Sequence, residues 1–467
     1  MIFSRDKLKD LFSNNSSKID KQLVSEANRD IRISYNIISN TESAFLCSMA
    51  AKTCYGLTVE NSYEKCLAHI KRVMGYGHDS ICGHSNIIAL LCFKSNNSNL
   101  SDFDLSSIYT SLSALHFMNI VPLDFLHAEG TNEYFALLSG SIRAFRYFIQ
   151  NSKLPEDIIS DNETNFNFDL YRVIVDIAKH SIEKEFFEDM KDYVDLNEFK
   201  YKYPYIDDNI SFTEYDRDTS TSDDADRLVY ANKNTIMYSY PDLPVVYNDI
   251  LSSIADYYYA DEDHKYLVDE KTWIYKVDKE QSELLMDAVF KCITVSFKFK
   301  NFSRAISQQV NRHLCAISQE SQRYVDYSKK ALFVDPLPFN SKAYPDKDKK
   351  YNFKFGDKEF SMSAEELGES IIAIYPQLKK QGMINQDARA FLPMNVTTNA
   401  MYTFTLENLL HFIKVRDSQY SQQEVQLLAK QLEDILERVQ SDCFDNEEIM
   451  KVAYNIGMKL YNDKIKN

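Results

Sequence analysis

The chain has 467 residues, 44% of them hydrophobic, and its 69 acidic against 53 basic side chains leave a formal net charge of −16. That length suits two or three domains, or one domain with a large insertion, and the charge disfavours a nucleic-acid backbone as partner. No apolar run reaches the roughly 18 residues that a membrane-spanning helix needs, so none is expected.

The first residues, MIFSRDKLKDLF, put charges where a secretion signal needs an apolar stretch, so a cytoplasmic protein is expected. Eight cysteines without a CxxC pair read as reduced thiols, not as zinc ligands or a disulfide framework. Residues 40–55 space Ala44, Phe45, Met49 and Ala50 as a helix would, and 63–74 continue that pattern until Gly75-Tyr76-Gly77 stops it. The apolar run 87–93 predicts a strand. Helical patterning is expected over 105–126 and 134–149, acidic helical segments over 156–203, and a linker rich in Asp, Ser and Thr over 213–234. Residues 292–298 alternate as a strand, and 335–358, with its Asp-Pro and Tyr-Pro steps and lysines, reads as an exposed loop. The capping box Ser363-Ala364-Glu365-Glu366 opens a helix through Ile371, Ile372, Ile374 and Leu378 that stops at Gly382. A short element over 386–392 ends at Pro393, and helices are expected over 405–416 and 421–439. The class implied is α+β: a mixed or antiparallel sheet flanked by helices. Its core is expected to come from residues 1–94 and 291–440, separated by a mostly helical insertion over 95–290, with a C-terminal tail over 441–467.

The segment 303–324, SRAISQQVNRHLCAISQESQRY, carries three arginines, one histidine, four glutamines and four serines. Arginines gathered in an acidic chain suggest a local anion site, since a guanidinium forks two hydrogen bonds onto a phosphate or carboxylate. Gln and Ser add neutral donors and acceptors that read a ring edge. With only ten glycines in the chain, phosphate binding is expected to rest on side chains. In TLENLLHFIKVR, residues 405–416, Leu406, Leu409, Leu410 and Ile413 form an apolar stripe that leaves Arg416 near its edge.

Four ordered patches resemble the flavin-dependent thymidylate synthases. They are AAKTCYG (50–56), GHDSICGH (77–84), the arginine segment through Val325, and QDARAFLP (386–393) followed by LLHFIKVRDSQYSQQE (409–424). The resemblance implies reductive methylation of dUMP to dTMP, with methylenetetrahydrofolate as one-carbon donor, FAD as hydride carrier and NADPH as its reductant. It implies Arg416 as the catalytic cation that favours an N3-ionised uracil. Nucleotide contacts implied are Gln309, Arg312, Ser321, Arg323 and Arg389, the last two on phosphate. Flavin contacts implied are Ser80, Arg312, His313 and Gln319, with Cys54 and His411 at further flavin-side positions. His84 matches the family's motif histidine, with a hydrogen-bonded core histidine as the other reading. The family's sites form between subunits of a homotetramer.

Three positions depart from the pattern: Leu314 stands where the family has Arg, Thr405-x-Glu407 where it has Asn-x-Arg, and Gly83 where it has Glu. Ser141-x-Arg143, with Phe148, resembles the missing Asn-x-Arg, so Arg143 and Arg146 are expected to restore the positive charge for the flavin. Two alternatives stay open: a related enzyme that hydroxymethylates the pyrimidine C5, and a dUMP-binding paralogue without flavin chemistry.

Overall fold

The computed structural model describes residues 31–41, 43–57, 62–95, 118–127, 131–151, 166–190, 230–231, 234–239, 243–258, 265–267, 273–328 and 350–442. It opens with strand β1 (Ile31–Asn40) and helix α1 (Ser43–Cys54). Helix α2 (Tyr63–Met74) starts where the Ser62 hydroxyl accepts the Lys65 N–H. Gly75 caps its end, and Gly77 then takes φ +75°, which a residue without Cβ adopts freely. A 3-10 turn (Asp79–His84) leads into β2 (Ile87–Ser95), β3 (Met118–Pro122) and β4 (Glu133–Gly140). Helices α3 (Ile142–Asn151) and α4 (Phe166–Ser181) follow. The four strands form an antiparallel sheet in the order β1-β2-β4-β3.

Strand β2 is apolar throughout its centre because both of its faces are covered. Ile87, Ala89, Leu91 and Phe93 pack with residues of α1 to α4, while Ile88, Leu90 and Cys92 join a second core. The same burial accounts for a correction. Residues 134–140, expected as the start of a helix, are strand, and the helix begins only at Ile142. A short run buried on two sides has no period that separates strand from helix. Residues 118–122 are likewise strand, followed by a 3-10 turn at Asp124–Leu126, where a helix was expected.

The second sheet is assembled from both halves of the chain. Its elements are β5 (Tyr230–Ala231) and β6 (Thr235–Ser239), then α5 (Leu243–Tyr257), the ribbon β7 (Lys265–Leu267) and β8 (Trp273–Tyr275), and α6 (Lys279–Cys292). Next come β9 (Thr294–Ser303), α7 (Arg304–Val310) and β10 (Ala316–Gln319). The hairpin β11 (Lys350–Phe355) and β12 (Lys358–Ser363) precedes α8 (Ala364–Ile372), α9 (Ile374–Lys380) and α10 (Asn385–Ala388). Strand β13 (Thr397–Thr405), α11 (Leu406–Arg416) and α12 (Gln423–Asp442) complete the description. Strand order is β10-β13-β9-β6-β5, all antiparallel. Phe297 of β9 is fully buried, its ring 5.0 Å from that of Phe299 and 5.7 Å from that of Phe404.

The segment 95–290 is helical over α3 to α6, yet β3 and β4 complete the first sheet and β5 and β6 extend the second. The expected loop over 335–358 is corrected over its described part: residues 350–358 belong to the β11–β12 hairpin, which turns at Gly356 with φ +56°. Residues 335–349 lie outside the described residues, as do 105–117, 156–165, 191–203, most of the expected linker at 213–234, and the tail from 443. The capping box forms as expected: the Ser363 hydroxyl accepts the Glu366 N–H at 3.1 Å and the Glu366 carboxylate accepts the Ser363 N–H at 2.8 Å. The helix beyond it divides at Ala373 into α8 and α9. Ser363→Ala is expected to lower stability by about 1 kcal/mol in urea unfolding.

Candidate functional site

The arginine segment begins where the central strands of the second sheet are distorted. Pairing of β9 with β13 slips between Thr398 and Ala400, and Asn301 opposite adopts φ +52°. The chain then enters α7 at Ser303, whose hydroxyl caps Ile306 N–H at 3.3 Å. The Glu424 carboxylate accepts from Ser303 N–H and Oγ, both at 2.6 Å, so α12 clasps the start of α7. Arg304, the first arginine of the segment, turns inward and donates to the Glu320 carbonyl at 2.6 Å. It braces the loop that follows, so it is not free to serve the anion site expected of the gathered arginines.

Arg416 and His313 meet. Arg416 Nε and Nη2 donate to His313 Nε2 at 3.2 and 3.0 Å, and Nη2 donates to the Gln309 carbonyl at 3.2 Å. Accepting from a guanidinium requires a neutral imidazole at Nε2. Burial, then the Arg416 charge and then His411, push the His313 pKa down to about 4. Burial and the neighbouring Arg312 lower the pKa of Arg416. The Gln309 side chain donates to Gln422 Oε1 at 2.9 Å, a second tie from the residues before α12. His411 is exposed, its ring 6.1 Å from that of His313.

The other predicted nucleotide contacts lie elsewhere on the chain. Ser321 N–H donates to the Cys54 carbonyl at 2.8 Å, which fastens the segment's end to α1. Tyr55 and Tyr324 rings sit 4.9 Å apart, and the exposed Arg323 lies over Tyr324 at 5.4 Å. Arg389 is exposed in the 3-10 turn after α10, its Nε donating to the Gln386 carbonyl at 3.0 Å. In sequence, Arg323 and Arg389 lie close to Val325 and Ala388, which join one small core with Tyr327, Tyr375 and Val396. Neither shares a hydrogen bond with Arg416. Among the described residues, Arg312, Arg323, Arg389 and Arg416 form no ion pair with a carboxylate.

A cavity of about 480 Å³ opens where the two sheets adjoin. Asp79, Asn119, Arg143 and Tyr147 line it on one side, and Thr294, Leu314, Thr405 and Asn408 on the other. Ser80 is exposed in the adjoining 3-10 turn, and Gln319 of β10 donates to Thr398 Oγ1 at 3.4 Å. Arg143 and the divergent positions Gly83, Leu314 and Thr405 therefore share one hollow. Arg146 does not reach it. Arg146 is buried, donates to the Phe186 carbonyl and forks onto Asp189 at 2.8 and 2.7 Å, so its expected part in flavin binding is corrected. Glu407 is absent from the cavity lining and acts instead on Lys291, whose pKa it helps raise after Asp287. At Gly83 an added Cβ would come within 3.1 Å of Ala316 Cβ, so the missing side chain lets β10 approach.

His84 is fully buried between β10 and β13. Its Nδ1 lies 2.9 Å from Thr403 Oγ1 and its Nε2 3.0 Å from Ser318 Oγ. Burial pushes its pKa down to about 3, so the ring is neutral. Gln422 and Glu424, which fasten the arginine segment, were visible in the sequence only as a trailing Gln-x-Glu. Nothing in their spacing announces that they bind residues more than a hundred positions earlier.

Among the described residues, four arginines without a carboxylate partner are thus left available to anions, and a fifth, Arg143, lines the cavity. Residues 223–440 match the family model described as thymidylate synthase complementing protein. A flavin-dependent thymidylate synthase of Pyrococcus abyssi is 27% identical over 157 residues, 32% of this chain and 58% of the relative. That of Thermococcus kodakarensis is 29% identical over 154 residues, covering 32% and 57%. A solved flavin-dependent thymidylate synthase from Helicobacter pylori, described as complexed with FAD and dUMP, is 20% identical. It covers 43% of this chain and 93% of its own, with a TM-score of 0.28. The chain spans less than two thirds of the length of the first of these relatives, 58% for that of Pyrococcus abyssi. The motif resemblance and these matches agree: over part of its length the chain is similar to the flavin-dependent thymidylate synthases.

Proposed function

We propose that this chain catalyses reductive methylation of dUMP to dTMP. The observation that carries this reading is Arg416, held by a neutral histidine and a carbonyl while, among the described residues, no carboxylate pairs with it. Such a cation beside a uracil favours the N3-ionised ring and raises electron density at C5, and fixed charge in a partly dry site is an effective lever. Arg323 and Arg389 hold the phosphate, and Gln309, Arg312 and Ser321 order the ring and ribose. In this reading the site is completed by another copy of the chain, in a homotetramer, as the motif resemblance implies. The protein acts in the cytoplasm on this small molecule, without nucleic acid or membrane. Among the described residues, no helix is long and apolar enough to cross a membrane.

FAD, reduced by NADPH, is the hydride source when bound, and methylenetetrahydrofolate is the one-carbon donor. Ser80, Arg143, Arg312, His313, Gln319 and His411 would hold the flavin. The residues present fit such a group: Thr294 Oγ1 lines the cavity, buried and without a hydrogen-bond partner. Arg143 adds a cation to the same lining.

The test is flavin absorbance of the purified protein together with product mass after incubation with dUMP, methylenetetrahydrofolate and NADPH. A yellow protein forming dTMP is expected, and a hydroxymethylated product would replace this reading with the neighbouring chemistry. A second reading, dUMP binding without flavin chemistry, is favoured by Leu314, which is 79% exposed where the resemblance asks for an arginine. A colourless protein that binds dUMP and takes up no added FAD would establish that second reading.

A further inference from the structure

We infer that the cavity between the two sheets takes the phosphate-bearing arm of a flavin dinucleotide, with Arg143 as its cationic partner. The inference rests on the flavin reading above and adds to it which end of the cofactor lies where. Among the described lining residues, Arg143 is the one cation and Asp79 the one carboxylate. Their contact is loose: Arg143 Nε lies 3.9 Å from Asp79 Oδ2, with both side chains about half exposed. A pair of that kind contributes little and leaves the guanidinium available to a better anion. One helical turn on, Arg146 faces the protein and is consumed by Asp189, so α3 presents a single arginine to the hollow.

The rest of the lining suits a sugar and a base edge. Gln150 and Asn408 have side-chain amides with no hydrogen-bond partner among the described residues, and Thr294 Oγ1 is buried without one. Leu314 and Tyr147, both exposed, supply apolar surface at the mouth. A cavity with a cation for phosphate, neutral amides for sugar and base, and an apolar rim has the make-up of a nucleotide subsite. The cation comes from residue 143, far in sequence from the arginine segment, whose own residues in this hollow, Leu314, Cys315 and Ala316, carry no charge. Positive charge has thus been supplied by the 95–290 segment.

The experiment titrates FAD, FMN, riboflavin and dUMP against the full chain by flavin fluorescence and, for dUMP, by calorimetry. It compares wild type with Arg143→Gln and Asp79→Asn, after thermal melts establish that each variant folds. Arg143→Gln is expected to weaken FAD by about ten- to a hundredfold, the scale of one charged hydrogen bond, with riboflavin and dUMP unchanged. Asp79→Asn is expected to tighten FAD, because it frees Arg143. If wild type binds FAD and Arg143→Gln binds it equally well, the assignment of Arg143 is overturned while the flavin reading survives. A loss shared equally by riboflavin, or one seen for dUMP instead, also overturns it. If wild type binds no flavin at all, both fall together.

Discussion

Arg416→Ala is expected to lower the turnover of dUMP by about a hundred- to a thousandfold, the usual effect of removing one preorganised charge or donor from developing negative charge. Flavin occupancy is expected to fall far less, since Arg416 is not itself among the expected flavin contacts although it holds one of them, His313. Stability is expected to fall by less than about 1 kcal/mol, the scale of a cation in the last turn of a helix. Arg416→Lys is expected to do little better. A single ammonium on a flexible stem cannot reproduce the planar fork that reaches both His313 Nε2 and the Gln309 carbonyl. Stopped-flow reduction followed by product quantification separates these effects. Turnover in Arg416→Ala within threefold of wild type would remove the arginine from catalysis.

His84→Ala is expected to destabilise the fold by about 2–4 kcal/mol at neutral pH, because it deletes two buried hydrogen bonds and opens a void between β10 and β13. The same residue predicts an acid sensitivity. Its pKa is about 3 in the folded chain against an ordinary 6.5, so below pH 6.5 the unfolded chain binds a proton that the folded chain refuses. Stability is therefore complete above 6.5 and falls as pH drops from there towards 3, by about 1.4 kcal/mol per pH unit from this group. His69 and His313, both shifted down to about 4, act in the same direction over a narrower window. Urea unfolding at pH 7.5, 5.5 and 4.5 should show a steeper loss for wild type than for His84→Gln. Parallel slopes would mean that His84 is protonated in the folded chain.

Local signals were legible from the residues themselves. The Ser363 capping box, the stop at Gly75-Tyr76-Gly77 and the stripe of Leu406, Leu409, Leu410 and Ile413 each depend on neighbours within a turn or two, and each formed. Residues 134–140 were misread because burial on both faces is a tertiary fact, invisible within a window of seven residues. In the site, the resemblance named both Arg416 and His313 but neither their mutual contact nor the residues that support them. Gln422 and Glu424 act across the gap from α12 to α7, and Arg146 was lost to Asp189, a partner 43 positions away. Long-range pairing decides which arginines are spent on the fold and which remain for a ligand.

Strand β4 lies inside its sheet, between β2 and β3. A shortened protein lacking residues 95–290 would leave β2 with a bare row of backbone donors and acceptors, and its apolar side uncovered, a template for sticking to other chains. The extra length of this polypeptide is woven into its architecture and cannot be trimmed away to recover a smaller relative.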